Sequence, residues 1–281
     1  MKGHLDTAVR AARAAGAVIR RDFGAATGVS YKARMNPVTA TDLEAERAAI
    51  GEITRVFPGH DILTEESDQA ARRSEYLWVI DPMDGTVNFI HGYPCVCASV
   101  ALMRGGEILA GAVYDPLHDE LFAAEKGKGA ALNGSPLRVS AVRALDGSLL
   151  CTGFPYRLVE RPGDTFRIFE AMSLLVPGIR RDGSAALDIC YVAAGRFEGF
   201  WERELRPWDT AAGALILREA GGRASDFSGR DFDPFMPEIA ATNGLIHDEM
   251  LAVLRPSPPG DPPAAPPPAA DFGLPPPAGR V

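Results

Sequence analysis

Tyr76-Leu-Trp-Val-Ile-Asp-Pro-Met-Asp-Gly-Thr86 is the stretch on which the reading of this chain turns. Its first five residues are aromatic, branched or otherwise apolar, which predicts a short buried strand ending at Asp81-Pro82. Two carboxylates, Asp81 and Asp84, then stand three positions apart in a turn, where they can converge on a hard cation that prefers oxygen ligands. Gly85 frees the backbone to bend, Pro82 stiffens the turn, and amides at a following helix start can face a phosphate. Taken alone, Asp81–Thr86 fits a solvated Asp-Pro turn equally well.

Upstream, Leu5, Val9, Ala12, Gly16, Ile19 and Phe23 recur at helical spacing and predict an opening amphipathic helix, broken by Gly24 and Gly28. Thr39-Ala-Thr-Asp42 leads into a second helix with Leu43, Ile50, Ile53 and Phe57 as its apolar stripe. Thr41 with Glu44 fits a capping box, and Pro58-Gly59 ends the helix. Leu63-Thr-Glu-Glu-Ser67 lies a short connection before the strand, so Glu65 or Glu66 can return to the same strand end. An exposed Glu pair is otherwise plain surface.

Downstream, strand-like runs from Cys95 to about Val139 are punctuated by Arg104-Gly-Gly-Glu107, Asp115-Pro116 and Asn133-Gly134, the pattern of an antiparallel meander. After Leu149-Leu-Cys151 helix and strand alternate: Ser184–Ala194 helical, Phe197–Trp201 extended, Asp209–Ala220 helical with Gly221-Gly222 as its stop. In Pro207-Trp-Asp-Thr210, Asp209 is most simply a helix N-cap or a first-turn dipole partner. The chain therefore reads as a mixed α and β unit over 1–255, with halves at about 1–145 and 146–255. Residues 256–281 hold eleven of the 23 prolines and almost no apolar periodicity, which predicts a disordered or partly polyproline tail.

A formal net charge of −8 argues against a nucleic-acid partner, whose affinity would rest on clustered Lys and Arg. Four cysteines, Cys95, Cys97, Cys151 and Cys190, form no disulfide framework in 281 residues and lack zinc-site spacing, so they read as buried thiols. With neither a signal-peptide pattern nor an apolar run of membrane-spanning length, the expected location is the cytoplasm.

Together the segments resemble the inositol monophosphatase family, the lithium-sensitive magnesium phosphatases, over roughly residues 5–250. The motifs that carry the resemblance are Glu-Glu-Ser at 65–67, Asp-Pro-Met-Asp-Gly-Thr-Val-Asn-Phe at 81–89 and Trp-Asp-Thr-Ala-Ala-Gly at 208–213. Gly183-Ser-Ala-Ala-Leu-Asp188 and Ala193-Ala-Gly-Arg196 look like the bacterial members. The resemblance implies a layered α-β-α-β-α sandwich, a homodimer and Mg²⁺ as cofactor. It implies that Glu65, Asp81 and the Met83 carbonyl hold one Mg²⁺, and that Asp81, Asp84 and Asp209 hold a second. Glu65 would also contact a third, weaker ion.

Catalysis would fall to Glu65 and to Thr86 polarised with Asp42, the pair orienting the attacking water. Amides of Gly85 and Thr86 would receive the phosphate, and Ala185, Glu202 and Asp209 would line the substrate. Met83 stands where Ile or Leu is usual, which leaves a carbonyl ligand intact; Thr64 stands where Gly commonly precedes the Glu pair, which can shift that loop.

The implied reaction is hydrolysis of inositol monophosphate. Fructose 1,6-bisphosphate, histidinol phosphate and 3′-phosphoadenosine nucleotides are alternatives within the family, and a fold retained for non-catalytic, regulatory binding is the alternative outside it. The haloacid-dehalogenase phosphatases, with one residue between their two carboxylates, do not fit, because Pro82 and Met83 intervene here. His91, Asp115, Asp119, Arg180 and Arg181 read as surface or turn residues, and Phe197, Phe200 and Trp201 as core. Asp188 is a candidate pocket residue.

Overall fold

Residues along the central strands of this chain point alternately into two different cores, and that alternation is what stacks the fold in layers. The computed structural model describes residues 3–25, 27–33, 36–67, 73–155, 158 and 164–255; the proline-rich segment 256–281 lies outside them. In chain order come α1 (His4–Asp22), β1 (Ser30–Ala33), β2 (Asn36–Val38), α2 (Ala40–Val56), β3 (Asp61–Thr64), β4 (Tyr76–Asp84) and α3 (Thr86–Ile90). The meander follows: β5 (Cys97–Arg104), β6 (Glu107–Asp115), β7 (Glu120–Glu125), β8 (Ala130–Leu132) and β9 (Ser135–Pro136). The rest is β10 (Leu149–Thr152), α4 (Thr165–Ser173), β11 (Gly178–Arg180), α5 (Ala185–Ala193), β12 (Gly199–Arg203), α6 (Pro207–Glu219), β13 (Arg223–Ser225), β14 (Glu238–Thr242) and α7 (His247–Leu254).

Strands β3 to β9 form one sheet in sequence order, antiparallel except for the β3–β4 pair. A second sheet has the order β11-β10-β12-β14-β13, parallel at β10 and antiparallel around β14. On β4, Trp78 and Ile80 face a core shared with α1 and α2, while Leu77 and Val79 face a core shared with α5 and α6. On β12, Phe200 joins that second core, and Trp201 faces a third made with α4 and α7. The layers are therefore α1/α2, first sheet, α5/α6, second sheet, α4/α7, the α-β-α-β-α sandwich expected from the sequence. Among the described residues no helix is long and apolar enough to cross a membrane.

A helix sandwiched between two sheets has no solvent face. Accordingly α6 buries every residue from Thr210 to Leu217 and is not amphipathic. Small residues let it lie close: a Cβ on Gly111 of β6 would sit 3.0 Å from Ala212 Cα and 3.1 Å from its carbonyl oxygen.

Three local readings need correction. The capping box of α2 is Thr39 with Asp42, not Thr41 with Glu44, because the helix begins at Ala40. Thr41 instead donates to Asp22, and Glu44 pairs with Arg21. The sheet-facing stripe of α2 is Ala45, Ala49 and Ile53, whereas Leu43 is 46% exposed. Finally, β4 does not stop at Asp81-Pro82 but runs on through Asp84.

Gly111→Val should destabilise the chain by about 1–3 kcal/mol, since the backbone it would strike cannot move aside. Gly51→Ala, a helical position open to space, should instead stabilise by roughly 0.5–1 kcal/mol. Urea unfolding of both variants checks the middle-layer packing.

Candidate active site

In a regular strand, residues three apart point to opposite faces, so Asp81 and Asp84 would be separated by the sheet. The ladder shows why they are not. Asp81 pairs with Ser99 and Asp84 with Cys97, three steps on β4 against two on β5. This β-bulge inserts one extra residue and returns both carboxylates to one side. Pro82 sits within the bulge, where its missing N–H costs no ladder bond. Met83 buries its side chain in the α1/α2 core, and its amide donates to Asp81 Oδ1 at 3.0 Å. Gly85 then turns the chain into α3 with φ of 99°, and a Cβ there would lie 2.7 Å from the Cys95 carbonyl oxygen.

Neighbouring elements aim further acids at the same strand end. Asp42, buried on α2, accepts from Thr39 N at 2.7 Å and from Thr86 Oγ1 at 3.0 Å. The Thr86 hydroxyl also reaches the Met83 carbonyl at 3.2 Å. Asp84 Oδ2 accepts from Ser184 Oγ and Ala186 N, both at 2.8 Å, which ties β4 to the start of α5. Asp209 occupies the first turn of α6 and reaches back to Arg206 N at 2.6 Å, so it is a first-turn residue rather than the N-cap. Ser99 Oγ donates to the Trp208 carbonyl at 3.1 Å and fixes that helix start against β5. Glu65, just beyond β3, is held with Glu66 by Lys32, whose ammonium lies 2.6 Å and 2.8 Å from the two carboxylates.

Charge makes this floor costly. Burial pushes Asp81 well above the ordinary carboxylate range, and repulsion from Glu65, Asp84 and Asp209 adds to it. Burial raises Asp84 to about 6 against the hydrogen bonds from Ala186 and Ser184, and burial followed by the Asp84 charge drives Asp209 well up. Among the described residues no cationic side chain is a leading influence on any of these three shifts. As residues Asp84 and Asp209 are only partly buried, which leaves a small ion a way to reach them. Among the described residues no three His, Cys, Asp or Glu side chains stand grouped as a ready-made metal site. The donor set, all oxygen, repelling and short of positive charge, suits a hard divalent cation.

Glu202, at the end of β12, is raised to about 8 by burial and by Asp84, with Arg181 opposing. Its carboxyl lies against Gly153, where a Cβ would be 2.0 Å from Oε2. Ala185 opens α5 and is 7% exposed. Asp188, three residues on along α5, is 1% exposed with its Oδ1 unpartnered. His91, Arg180 and Arg181 are exposed, and the four cysteines are buried and free, as read from the sequence. Asp115 ends β6 where the turn begins, as read from the sequence, and is fully buried, accepting from Leu117 N and His118 N.

Sequence reasoning assigned no role to Lys32, Asn88 or Gly153. Asn88 Nδ2 donates to the carbonyls of Cys95 and Asp182, both at 2.8 Å, and so joins the α3 loop to the loop before α5. Its second partner is 94 residues away, and no local spacing signals such a bond.

Comparison with known proteins bears on the same residues. Residues 2–258 match the inositol monophosphatase family. The chain is 42% identical to the inositol-1-monophosphatase of Synechocystis over 256 residues, 90% of this chain and 89% of that protein. It is 44% identical to the Nus factor SuhB of Escherichia coli K12 over 254 residues, covering 89% and 95% of the two. The crystal structure of the extragenic suppressor protein suhB from Bartonella henselae superposes with a TM-score of 0.86 at 39% identity, covering 90% of this chain and 99% of that one.

The raised acids set a pH dependence. In the folded chain Asp84 binds its proton up to about 6, above the usual value of about 3.9, so folding takes up protons over that interval. With chelator present, Asp84 should therefore favour the fold most below about pH 4, and the melting temperature should fall on this group's account between about pH 4 and 6 and level off above. A saturating divalent cation should reverse that fall. A melting temperature that is flat from about pH 4 to 7 in chelator, and indifferent to the cation, contradicts the electrostatic reading.

Proposed function

This chain belongs to the inositol monophosphatase family, and from that premise we propose that it hydrolyses inositol monophosphate, with Mg²⁺ as its cofactor. The observation that carries the proposal is the acidic cluster of Asp81, Asp84 and Asp209, brought to one strand end by the β4 bulge and the first turn of α6, with no cation among the leading influences on it in the described residues. Glu65, Asp81 and the Met83 carbonyl would hold one ion; Asp81, Asp84 and Asp209 would hold another. When bound, such ions stabilise the charge of the transferring phosphoryl group and make water more acidic.

The scale of the task explains why charge stabilisation must dominate. Phosphate monoester hydrolysis calls for acceleration approaching roughly 10²¹-fold. A single base supplies only about 10²–10⁴-fold. The chain's own groups then orient the reactants. The Thr86 hydroxyl, donating to Asp42, presents its lone pairs to a water and aligns it with phosphorus. First-turn amides of α3, at Gly85 and Thr86, have no acceptor within their helix and suit the phosphate oxygens. Water attacks phosphorus directly and no phosphoenzyme forms.

Glu202 favours a polyol as the leaving group. A carboxyl seated flat on Gly153 can accept from or donate to hydroxyls, and it gains charge as pH rises past about 8, where a second phosphate would be repelled. The assembly in this reading is a homodimer, working in the cytoplasm. Relatives named Nus factor SuhB support a second reading, in which the same fold acts through contact with other macromolecules.

Phosphate release from inositol 1-phosphate, fructose 1,6-bisphosphate, histidinol phosphate and 3′-phosphoadenosine 5′-phosphate separates these readings. Turnover should be strongest on inositol 1-phosphate, should require Mg²⁺ and should stop with chelator. Preference for another ester moves the substrate and keeps the chemistry. Silence across the panel from folded, Mg²⁺-supplemented protein overturns the enzymatic reading in favour of the second.

A further inference from the structure

Helix α2 contributes a second buried acid that the chemistry above does not use. Glu46 follows Asp42 by four residues, so the two side chains share one face of the helix a turn apart. Glu46 is 3% exposed. Its Oε2 accepts from Thr64 Oγ1 and from Glu66 N, the latter at 3.1 Å, and its Oε1 accepts from Ser67 Oγ. Among the described residues its hydrogen bonds all go to the segment 64–67, the residues on either side of Glu65. The same helix face thus grips two separate parts of the site: Asp42 holds Thr86, and Glu46 holds the loop that carries Glu65.

We propose that Glu46 is a positioning residue that fixes the Glu65 loop and thereby sets the affinity of the divalent cation Glu65 would hold. The inference rests on the metal-dependent reading of the site. Thr64, the residue that stands where the family commonly has Gly, fits this role, since its hydroxyl adds a donor to Glu46 that Gly lacks. Without the carboxylate, the hydroxyls of Thr64 and Ser67 and the amide of Glu66 lose their shared acceptor. The loop is then free to follow Lys32, which already holds Glu65 and Glu66 from the other side. Outer groups that orient metal ligands typically account for 10–100-fold in affinity, which sets the expected size of the effect.

The test is a double-mutant cycle read by Mn²⁺ binding, followed by calorimetry and by the electron-spin signal of free Mn²⁺, on wild type, Glu46→Gln, Glu65→Gln and the double variant. Melting temperatures in chelator report the fold separately. The expected result is that Glu46→Gln weakens Mn²⁺ binding by at least about tenfold and that adding it to Glu65→Gln costs little more, because the two act as one unit. Ser67→Ala, a milder change at an exposed residue, should weaken binding by a smaller factor and add nothing to Glu46→Gln. A Glu46→Gln protein that melts lower yet binds Mn²⁺ as wild type does, or a cycle in which the two effects simply multiply, overturns the proposal while leaving the phosphatase reading in place. Wild type that takes up no Mn²⁺ overturns both.

Discussion

Like charges held together away from water are the constraint on which the rest of this structure depends. Asp81, Asp84 and Asp209 come from two distant stretches of chain and meet where solvent screening is weak, and each is pushed toward its protonated form by burial and by neighbouring carboxylates, Glu65 among them. Burying an unpaired carboxylate costs several kcal/mol, and a fold tolerates such a cluster only when the surroundings hold it rigidly or a cation relieves it. Here every one of the three has a hydrogen bond from backbone or hydroxyl that fixes one oxygen: Met83 N for Asp81, Ser184 and Ala186 for Asp84, Arg206 N for Asp209. The acids are oriented by donors that leave their charge unbalanced, which is the arrangement a cation site requires.

The layers supply the rigidity. Helices α5 and α6 lie between two sheets, so their first turns cannot move without disturbing both cores. Strand β4, second in its sheet, runs straight into the bulge that turns Asp81 and Asp84 to the same side. On the opposite face, α2 brings Asp42 and Glu46 against the loops that carry Thr86 and Glu65. Three layers thus converge on one strand end and bring their carboxylates together there.

Much of this is local and therefore legible in the sequence. The apolar run at 76–80 and the carboxylates behind it marked the strand and the site, and the turn residues of the meander marked its hairpins. What escaped was non-local or smaller than the pattern being sought. A three-residue spacing of aspartates looks like a turn, and only pairing with β5 reveals a strand with an extra residue. The α2 stripe was misplaced because its inward face is built of Ala45 and Ala49, small residues that carry little periodic signal, while Leu43 faces outward. Glu46 carries no local signal of its role, since its partners begin 18 residues further on. Gly153 gave no hint of the carboxyl it accommodates, which arrives from a different strand.

The central proposal is that Asp81, Asp84, Asp209 and Glu65 would hold divalent cations, and anomalous diffraction from crystals grown with saturating Mn²⁺ and phosphate tests it most directly. The account predicts Mn²⁺ peaks at about 2.0–2.3 Å from the oxygens of Asp81, Asp84, Asp209 and Glu65, with phosphate beside Gly85 and Thr86. Ordered carboxylates with no anomalous density between them at saturating Mn²⁺ would contradict it.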